Sequence, residues 1–128
     1  MNTPEHDNQV ALFQWAALME TQIPAMKNLY ANTNAQKFGD ASNLRKMRTI
    51  VRLRDEGQRA GIPDITLAYP SCGFHGMFIE MKAGKNKTSP AQNEWISRLE
   101  KAGYLCVICY SFEDAKREIL AYLERGEK

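Results

Sequence analysis

The segment that most constrains the fold of this chain is residues 61–82, where the pattern changes from helical to strand-like. Asp64 introduces a short apolar run, and a second apolar run ends in Glu80, Met81 and Lys82. A turn rich in proline, serine and glycine separates the two runs, which predicts an antiparallel hairpin. Because successive side chains of a strand point to opposite faces, Glu80 and Lys82 should share one face and Met81 should lie on the other.

Two carboxylates and an ammonium on one sheet face are costly to bury without compensation. Asp64 and Glu80 offer hard oxygen ligands, and a bound Mg²⁺ or Mn²⁺ would make the pair tolerable. We expect the backbone carbonyl of Met81 and several waters to complete the coordination shell. Lys82 would position a water beside a phosphate, so the set suits phosphodiester hydrolysis. The simpler alternative is a turn-capping Asp64 and an exposed Glu80–Lys82 pair.

Composition indicates an ordinary globular protein. A length of 128 residues suits one domain, and 44% hydrophobic with 25% charged residues argues against extensive disorder. No apolar run approaches the ~20 residues that cross a bilayer, and the polar N-terminus carries no signal pattern, so we expect a cytoplasmic protein, in the host cytoplasm if viral. The spacing of Cys106 and Cys109 inside an apolar strand predicts buried thiols, not a zinc site.

Positive charge is concentrated just before the hairpin. Residues 37–61 hold seven basic residues against three acids, although the whole chain has a net charge of only +2. Such a cluster could face a polyanion, or it could be a solvated helix face. The candidate contacts to phosphates recur at helical spacing in this segment or lie in the loop after the hairpin: Arg45, Arg48, Arg52, Lys85 and Lys87.

The rest of the pattern predicts an α/β fold, with a mixed central β-sheet flanked by helices on both faces. Helical spacing and capping residues predict helices over residues 4–20, 40–56 and 90–102, and a last helix after Ser111. We expect an extended piece within residues 27–32 and a strand, covered on both faces, at residues 104–110. Residues 1–124 should form a single domain, and residues 125–128 a loose tail.

Some apolar residues of these helices should pack on the core. In the second helix we expect the packed stripe to be Leu44, Met47 and Val51, with the arginines facing out. In the third helix the corresponding residues are Trp95, Ile96 and Leu99.

Two further polar residues are candidates for the site. Glu5 begins a stripe, continued by Gln9, that leads into the buried side of the first helix, so its carboxylate could reach inward or simply complement the helix dipole. Gln92 stands three residues after Ser89, the spacing of a capping box. It could close that box, serve the site, or do both.

Pro63 and Asp64, followed after fifteen residues by Glu80, Met81 and Lys82, resemble the PD-(D/E)xK signature of the restriction-endonuclease-like superfamily. With the opening helix, the basic helix and the capped third helix around it, the chain is similar to the VRR-NUC family, particularly its small standalone members. The resemblance extends over residues 5–123. It implies a restriction-endonuclease-like fold.

The same resemblance assigns roles to residues of this chain. Asp64 and Glu80 match the metal-binding acids and Lys82 the catalytic lysine, while Gln92 matches the glutamine of the following helix and Glu5 the acid of the N-terminal helix. A Pro-Asn-Gly-like turn of the family falls at Asn32, where this chain instead has Ala31, Asn32 and Thr33.

The resemblance implies a metal-dependent, structure-selective DNA endonuclease, and some standalone members resemble Holliday-junction resolvases that act as homodimers. No base-reading motif is recognisable in the sequence, which favours selection by the shape of the DNA. Two other classes stay open: a non-catalytic DNA-binding module that keeps the nuclease fold, and a protein-interaction domain.

Overall fold

A computed structural model describes residues 3–33 and 44–126 of the chain. Within these ranges the helices are α1 (Pro4–Met19), a short 3₁₀ helix (Pro24–Asn28), α2 (Leu44–Asp55), α3 (Pro90–Lys101) and α4 (Phe112–Gly126). The strands are β1 (Leu29–Ala31), β2 (Ile65–Leu67), β3 (Met77–Met81) and β4 (Leu105–Cys109). The part of the chain described here contains no helix with the length and apolarity needed to cross a membrane.

The four strands form one mixed sheet in the order β1-β2-β3-β4. The first three strands are antiparallel, and β4 runs parallel to β3 after a crossover through α3. In the β2–β3 hairpin, Ile65 pairs with Ile79 and Leu67 with Met77. The predicted hairpin and the predicted mixed α/β sheet are therefore confirmed.

One face of the sheet carries the hydrophobic core. Ile65 and Ile79 are fully buried there together with Leu12 of α1 and Ile119 of α4. The residues that alternate with them point to the opposite face, where α3 packs and where Glu80 lies. Helices thus cover both faces, and polar side chains are collected on the face that α3 covers.

The second helix differs from the prediction. The predicted apolar stripe is exposed, at 62% for Leu44, 47% for Met47 and 49% for Val51, and α2 has no buried residue. The half-buried residues of α2 are instead Thr49, Ile50 and Leu53, which lie on the other side of the helix. The prediction that the stripe packs on the core was wrong, because amphipathicity identifies an apolar face without identifying what covers it.

Other boundaries also differ. The strand β4 lies at the edge of the sheet and Ile108 is 41% exposed, so the expectation of cover on both faces was wrong. The last helix continues through Gly126, so residues 125–126 are not a loose tail. Residues 40–43 of the predicted second helix and residues 127–128 of the predicted tail lie outside the described parts of the chain. The extended piece is β1, and a 3₁₀ turn precedes it.

One glycine allows the segment before Asp64 to touch α3. Gly61 has a positive φ of 91°, and a Cβ atom there would lie 2.7 Å from the backbone carbon of Ala91. Ala91 directly precedes Gln92, so this close approach fixes the distance between the start of β2 and the start of α3. Gly57 has a similar φ of 106° but open space around it.

We therefore expect Gly61→Ala to destabilise the protein more than Gly57→Ala. Both variants should lose ~1–2 kcal/mol of unfolding free energy to the left-handed backbone conformation. Gly61→Ala should lose a further ~1–3 kcal/mol because the new methyl group overlaps the backbone of α3. Urea unfolding of the two variants measures the difference, and equal losses would contradict the importance of this contact.

Candidate active site

The two acids predicted to work together lie across the hairpin from each other. Continuing the β2–β3 register by one residue puts Asp64 opposite Glu80, and both are buried, at 5% and 1% exposed. An oxygen of Asp64, Oδ2, accepts a hydrogen bond of 2.8 Å from the backbone N–H of Met81. The strand that carries Glu80 therefore also holds the carboxylate of Asp64 in place.

Lys82 and Gln92 both approach one oxygen of Glu80. The Lys82 Nζ lies 3.8 Å from Glu80 Oε2, and Gln92 Nε2 donates a hydrogen bond of 3.0 Å to the same oxygen. The Lys82 side chain is only 13% exposed, so this ion pair is screened by solvent much less than a surface pair would be. The structure thus brings Asp64, Glu80, Lys82 and Gln92 together, and the reading of Glu80 and Lys82 as an exposed pair was wrong.

Gln92 has two structural roles at once. Its Oε1 accepts a hydrogen bond of 2.8 Å from the backbone N–H of Ser89, while the Ser89 Oγ accepts one of 3.2 Å from the N–H of Gln92. This is a complete capping box at the start of α3. The amide nitrogen that remains reaches Glu80, so the same side chain starts the helix and holds the acid.

A cleft of about 910 Å³ separates α1 from the end of β1 and includes both Glu5 and Asp64 in its walls. Glu5 and Asp64 therefore line the same cleft, and α1 is capped in the ordinary way by Thr3. The full lining comprises Thr3, Glu5, His6, Gln9, Val10, Phe13, Gln14, Ala17, Ala31, Asn32, Thr33 and Asp64.

Asn32 supports the backbone on both sides of Asp64, a role that the sequence did not reveal. Its own N–H donates to the Asp64 carbonyl at 2.6 Å, and its Nδ2 donates to the Pro63 carbonyl at 2.9 Å and to Thr66 Oγ1 at 2.7 Å. The partners are about thirty residues away in the chain, and no local pattern signals such long-range bonds. Only the resemblance to a family turn pointed to this position.

The five basic residues predicted to contact phosphates lie on the surface. Arg45, Arg48 and Arg52 are exposed on one side of α2 and, with Leu44 and Thr49, line a depression of about 450 Å³. Lys85 and Lys87 are exposed in the loop between Lys82 and α3. The prediction that the arginines of α2 face outward is therefore confirmed.

The cysteines stand apart from this chemistry. All three are free thiols, and Cys109 is fully buried. Burial raises the pKa of Cys106 to about 11 and that of Cys109 to about 12, with nearby acids adding to the effect. Both thiols remain protonated at neutral pH. Cys109 agrees with the sequence-based expectation of buried thiols, whereas Cys106 is only half-buried.

The donor atoms of the acid cluster fit a small hard cation. Mg²⁺ in proteins uses one or two carboxylates and keeps several waters, and Asp64 and Glu80 supply such a pair. No group of three or more histidine, cysteine or acidic side chains suited to a metal occurs within residues 3–33 and 44–126. A site that surrounds a metal with protein side chains alone is thus not formed by this part of the chain.

A mixed sheet with helices on both faces and an acid, acid, lysine cluster on its hairpin defines the restriction-endonuclease-like class of α/β proteins. The family model of the VRR-NUC domain matches residues 4–113, and the chain therefore belongs to the VRR-NUC family, a family of nucleases.

A solved structure described as a VRR_NUC domain protein has the same fold, with a TM-score of 0.76 and 22% sequence identity. The alignment covers 98% of this chain and 93% of that one. A search of the curated proteins found no match.

Substitutions at the capping box should separate the two roles of Gln92. Ser89→Ala removes only the cap and should cost ~1 kcal/mol of unfolding free energy. Gln92→Ala also removes a hydrogen bond to a buried carboxylate and should cost a further ~1.5–3 kcal/mol. The free energy of unfolding in urea checks both values. If the two variants lose the same amount, the bond between Gln92 and Glu80 contributes nothing to stability.

Proposed function

We propose that this chain is an Mg²⁺- or Mn²⁺-dependent endonuclease that hydrolyses phosphodiester bonds in branched or otherwise structured DNA, and that residues 1–124 form its single nuclease domain. The observation that carries the proposal is the buried cluster of Asp64, Glu80 and Lys82. A structural ion pair needs one acid, and a second buried acid across the hairpin adds repulsion that a bound cation would offset.

Asp64 and Glu80 would hold the cation through carboxylate oxygens, with the backbone carbonyl of Met81 as a third ligand. The bound cation supplies stabilisation of the negative charge that develops on the phosphate. The protein contributes orientation: the Met81 N–H fixes Asp64 and the Gln92 amide fixes Glu80. Neither acid needs to reorganise when the substrate arrives.

Lys82 is placed to orient the attacking water. The Lys82 side chain is only 13% exposed and its Nζ lies 3.8 Å from Glu80 Oε2. Its three N–H donors therefore meet little bulk water. It can donate to a water or to a phosphate oxygen in line with the scissile bond. Glu5, on the opposite side of the cleft from β1, would accept a hydrogen bond from a further water of the cation.

The DNA would be held through its backbone. Arg45, Arg48 and Arg52 on α2, with Lys85 and Lys87 in the loop after β3, are exposed cations suited to phosphate oxygens. Contacts of this kind carry no sequence information, which favours selection by the shape of the substrate.

Replacing the central residues should slow cleavage strongly while DNA binding persists. We expect Lys82→Ala and Asp64→Asn each to lower the cleavage rate ~10²-fold or more, in the range seen for positioned acid–base groups. Lys101→Ala, which removes an exposed lysine from the end of α3, is the matched control and should cleave normally.

The assay follows cleavage of a four-way junction, a flap and a plain duplex, each with Mg²⁺, with Mn²⁺ and with EDTA. Wild-type protein that binds these substrates without cutting any of them would identify a non-catalytic DNA-binding module. Absence of both binding and cutting would favour a protein-interaction domain.

The exposed stripe of α2 supports a homodimer. Leu44, Met47 and Val51 follow each other at steps of three and four residues, so they form one apolar strip on the surface. In a two-fold dimer the same strip of a second copy could cover it, since such an interface uses one patch twice. Two copies would also bring two acid clusters to the two strands of a junction.

Charged substitutions within this stripe should therefore dissociate the dimer. We expect Met47→Glu combined with Val51→Glu to give a monomer, whereas Leu18→Glu, at a residue of α1 that is 78% exposed, should leave the assembly unchanged. Multi-angle light scattering of the purified proteins measures the mass. A wild-type monomer, both free and with junction DNA, would count against the dimer.

A further inference from the structure

The cleft between α1 and the end of β1 has a composition that the acid cluster alone does not explain. Its volume of about 910 Å³ falls in the range of ~300–1,000 Å³ typical of clefts that enclose small organic molecules. A cation with its waters occupies only a small part of that space. The remainder of the cleft extends from Asp64 along one side of α1.

One wall of this cleft is apolar. Val10, Phe13 and Ala17 recur at steps of three and four residues along α1 and form a continuous strip, with Ala31 at the end of β1. Val10 is 41% exposed and Ala17 is exposed, so this strip is open to a ligand, while Phe13 is half-buried and packs against the core. A flat apolar group could lie against this strip.

The polar groups of the cleft are of a particular kind. The side-chain amides of Gln9 and Gln14 line it, and amides can both donate and accept hydrogen bonds. Asn32 also lines it, but its Nδ2 already donates to Pro63 and Thr66, so it offers only its side-chain oxygen. None of the described lining residues is a lysine or an arginine, and the acids among them are Glu5 and Asp64. Beyond the cation that Asp64 would hold, the phosphate backbone of DNA would meet no lysine or arginine among these residues, whereas the basic residues suited to it are on α2 and in the loop after Lys82.

A nucleobase has the chemistry that this cleft matches. It presents a flat apolar face for stacking and an edge of donors and acceptors, and it carries no charge. Bases in an intact duplex are stacked and paired, and they cannot enter a cleft beside the backbone without leaving the helix. We infer that the cleft of α1 and β1 receives an unpaired nucleotide adjacent to the scissile phosphate of the DNA substrate.

This inference rests on the proposed function. Asp64 belongs both to the cleft and to the acid cluster, and it therefore puts the nucleotide next to the bond that is cut. It gives the preference for structured DNA a physical cause. Substrates with an unpaired nucleotide at the cleavage point fill the cleft, and fully paired duplexes leave it open.

Binding measurements with a charge added to the apolar wall test the inference. Ala17→Glu adds a carboxylate inside the cleft, and Leu18→Glu adds the same charge at the next residue, which does not line it. Fluorescence anisotropy in EDTA compares a flap oligonucleotide with a fully paired duplex of the same sequence. We expect Ala17→Glu to weaken flap binding about tenfold, as for the loss of one stacked base, and to leave duplex binding unchanged.

The control Leu18→Glu should change neither affinity. Gln14→Ala, a substitution at an exposed helix position, should weaken flap binding about threefold by removing a hydrogen bond to the base edge. It provides the test if Ala17→Glu fails to fold, which thermal unfolding would reveal.

Equal loss of flap and duplex affinity, or no loss in either variant, would overturn the inference. The proposed function would stand in that case if wild-type protein cleaved the flap with metal and Lys82→Ala did not. Conversely, a flap-selective loss of binding in a protein that cleaves nothing would support the cleft as a nucleotide site and refute the nuclease activity.

Discussion

The pairing of β2 with β3 is the constraint on which the site depends. Ile65 and Ile79 are buried in the core on one face, and this fixes Asp64 opposite Glu80 on the other. A slip of one residue in the register would turn Glu80 toward the core and leave apolar side chains beside the helix α3. The apolar residues of the hairpin therefore determine where its charged residues lie, and the core and the site are specified by the same register.

The site also depends on how α3 begins. The parallel arrangement of β3 and β4 requires a crossover, and here the crossover helix begins beside the acid that it must hold. The capping box and the hydrogen bond to Glu80 use different atoms of Gln92. The same side chain therefore caps α3 and positions Glu80. The close contact between Gly61 and Ala91 also joins the segment before Asp64 to the start of α3.

Local patterns predicted the features that are encoded locally. The hairpin follows from period-two alternation, the start of α3 from the spacing of Ser89 and Gln92, and the acid, acid, lysine set from its position on the hairpin. The exposure of the apolar stripe of α2 and of Ile108 in β4 was not predicted, because both depend on which elements surround them. The role of Asn32 was missed for a related reason, since its partners are distant in sequence and become neighbours only when β1 pairs with β2.

The loop between Lys82 and Ser89 has a consequence for how such a protein can diversify. The loop begins after Lys82 and ends shortly before Gln92, and both of these residues contact Glu80. Both ends of the loop are therefore held by contacts to the same acid. The residues between are mostly exposed, and a doubling of loop length adds only ~0.6 kcal/mol of closure entropy. Insertions and substitutions around Lys85 and Lys87 can thus change the exposed surface of this loop while the arrangement of Glu80, Lys82 and Gln92 is retained.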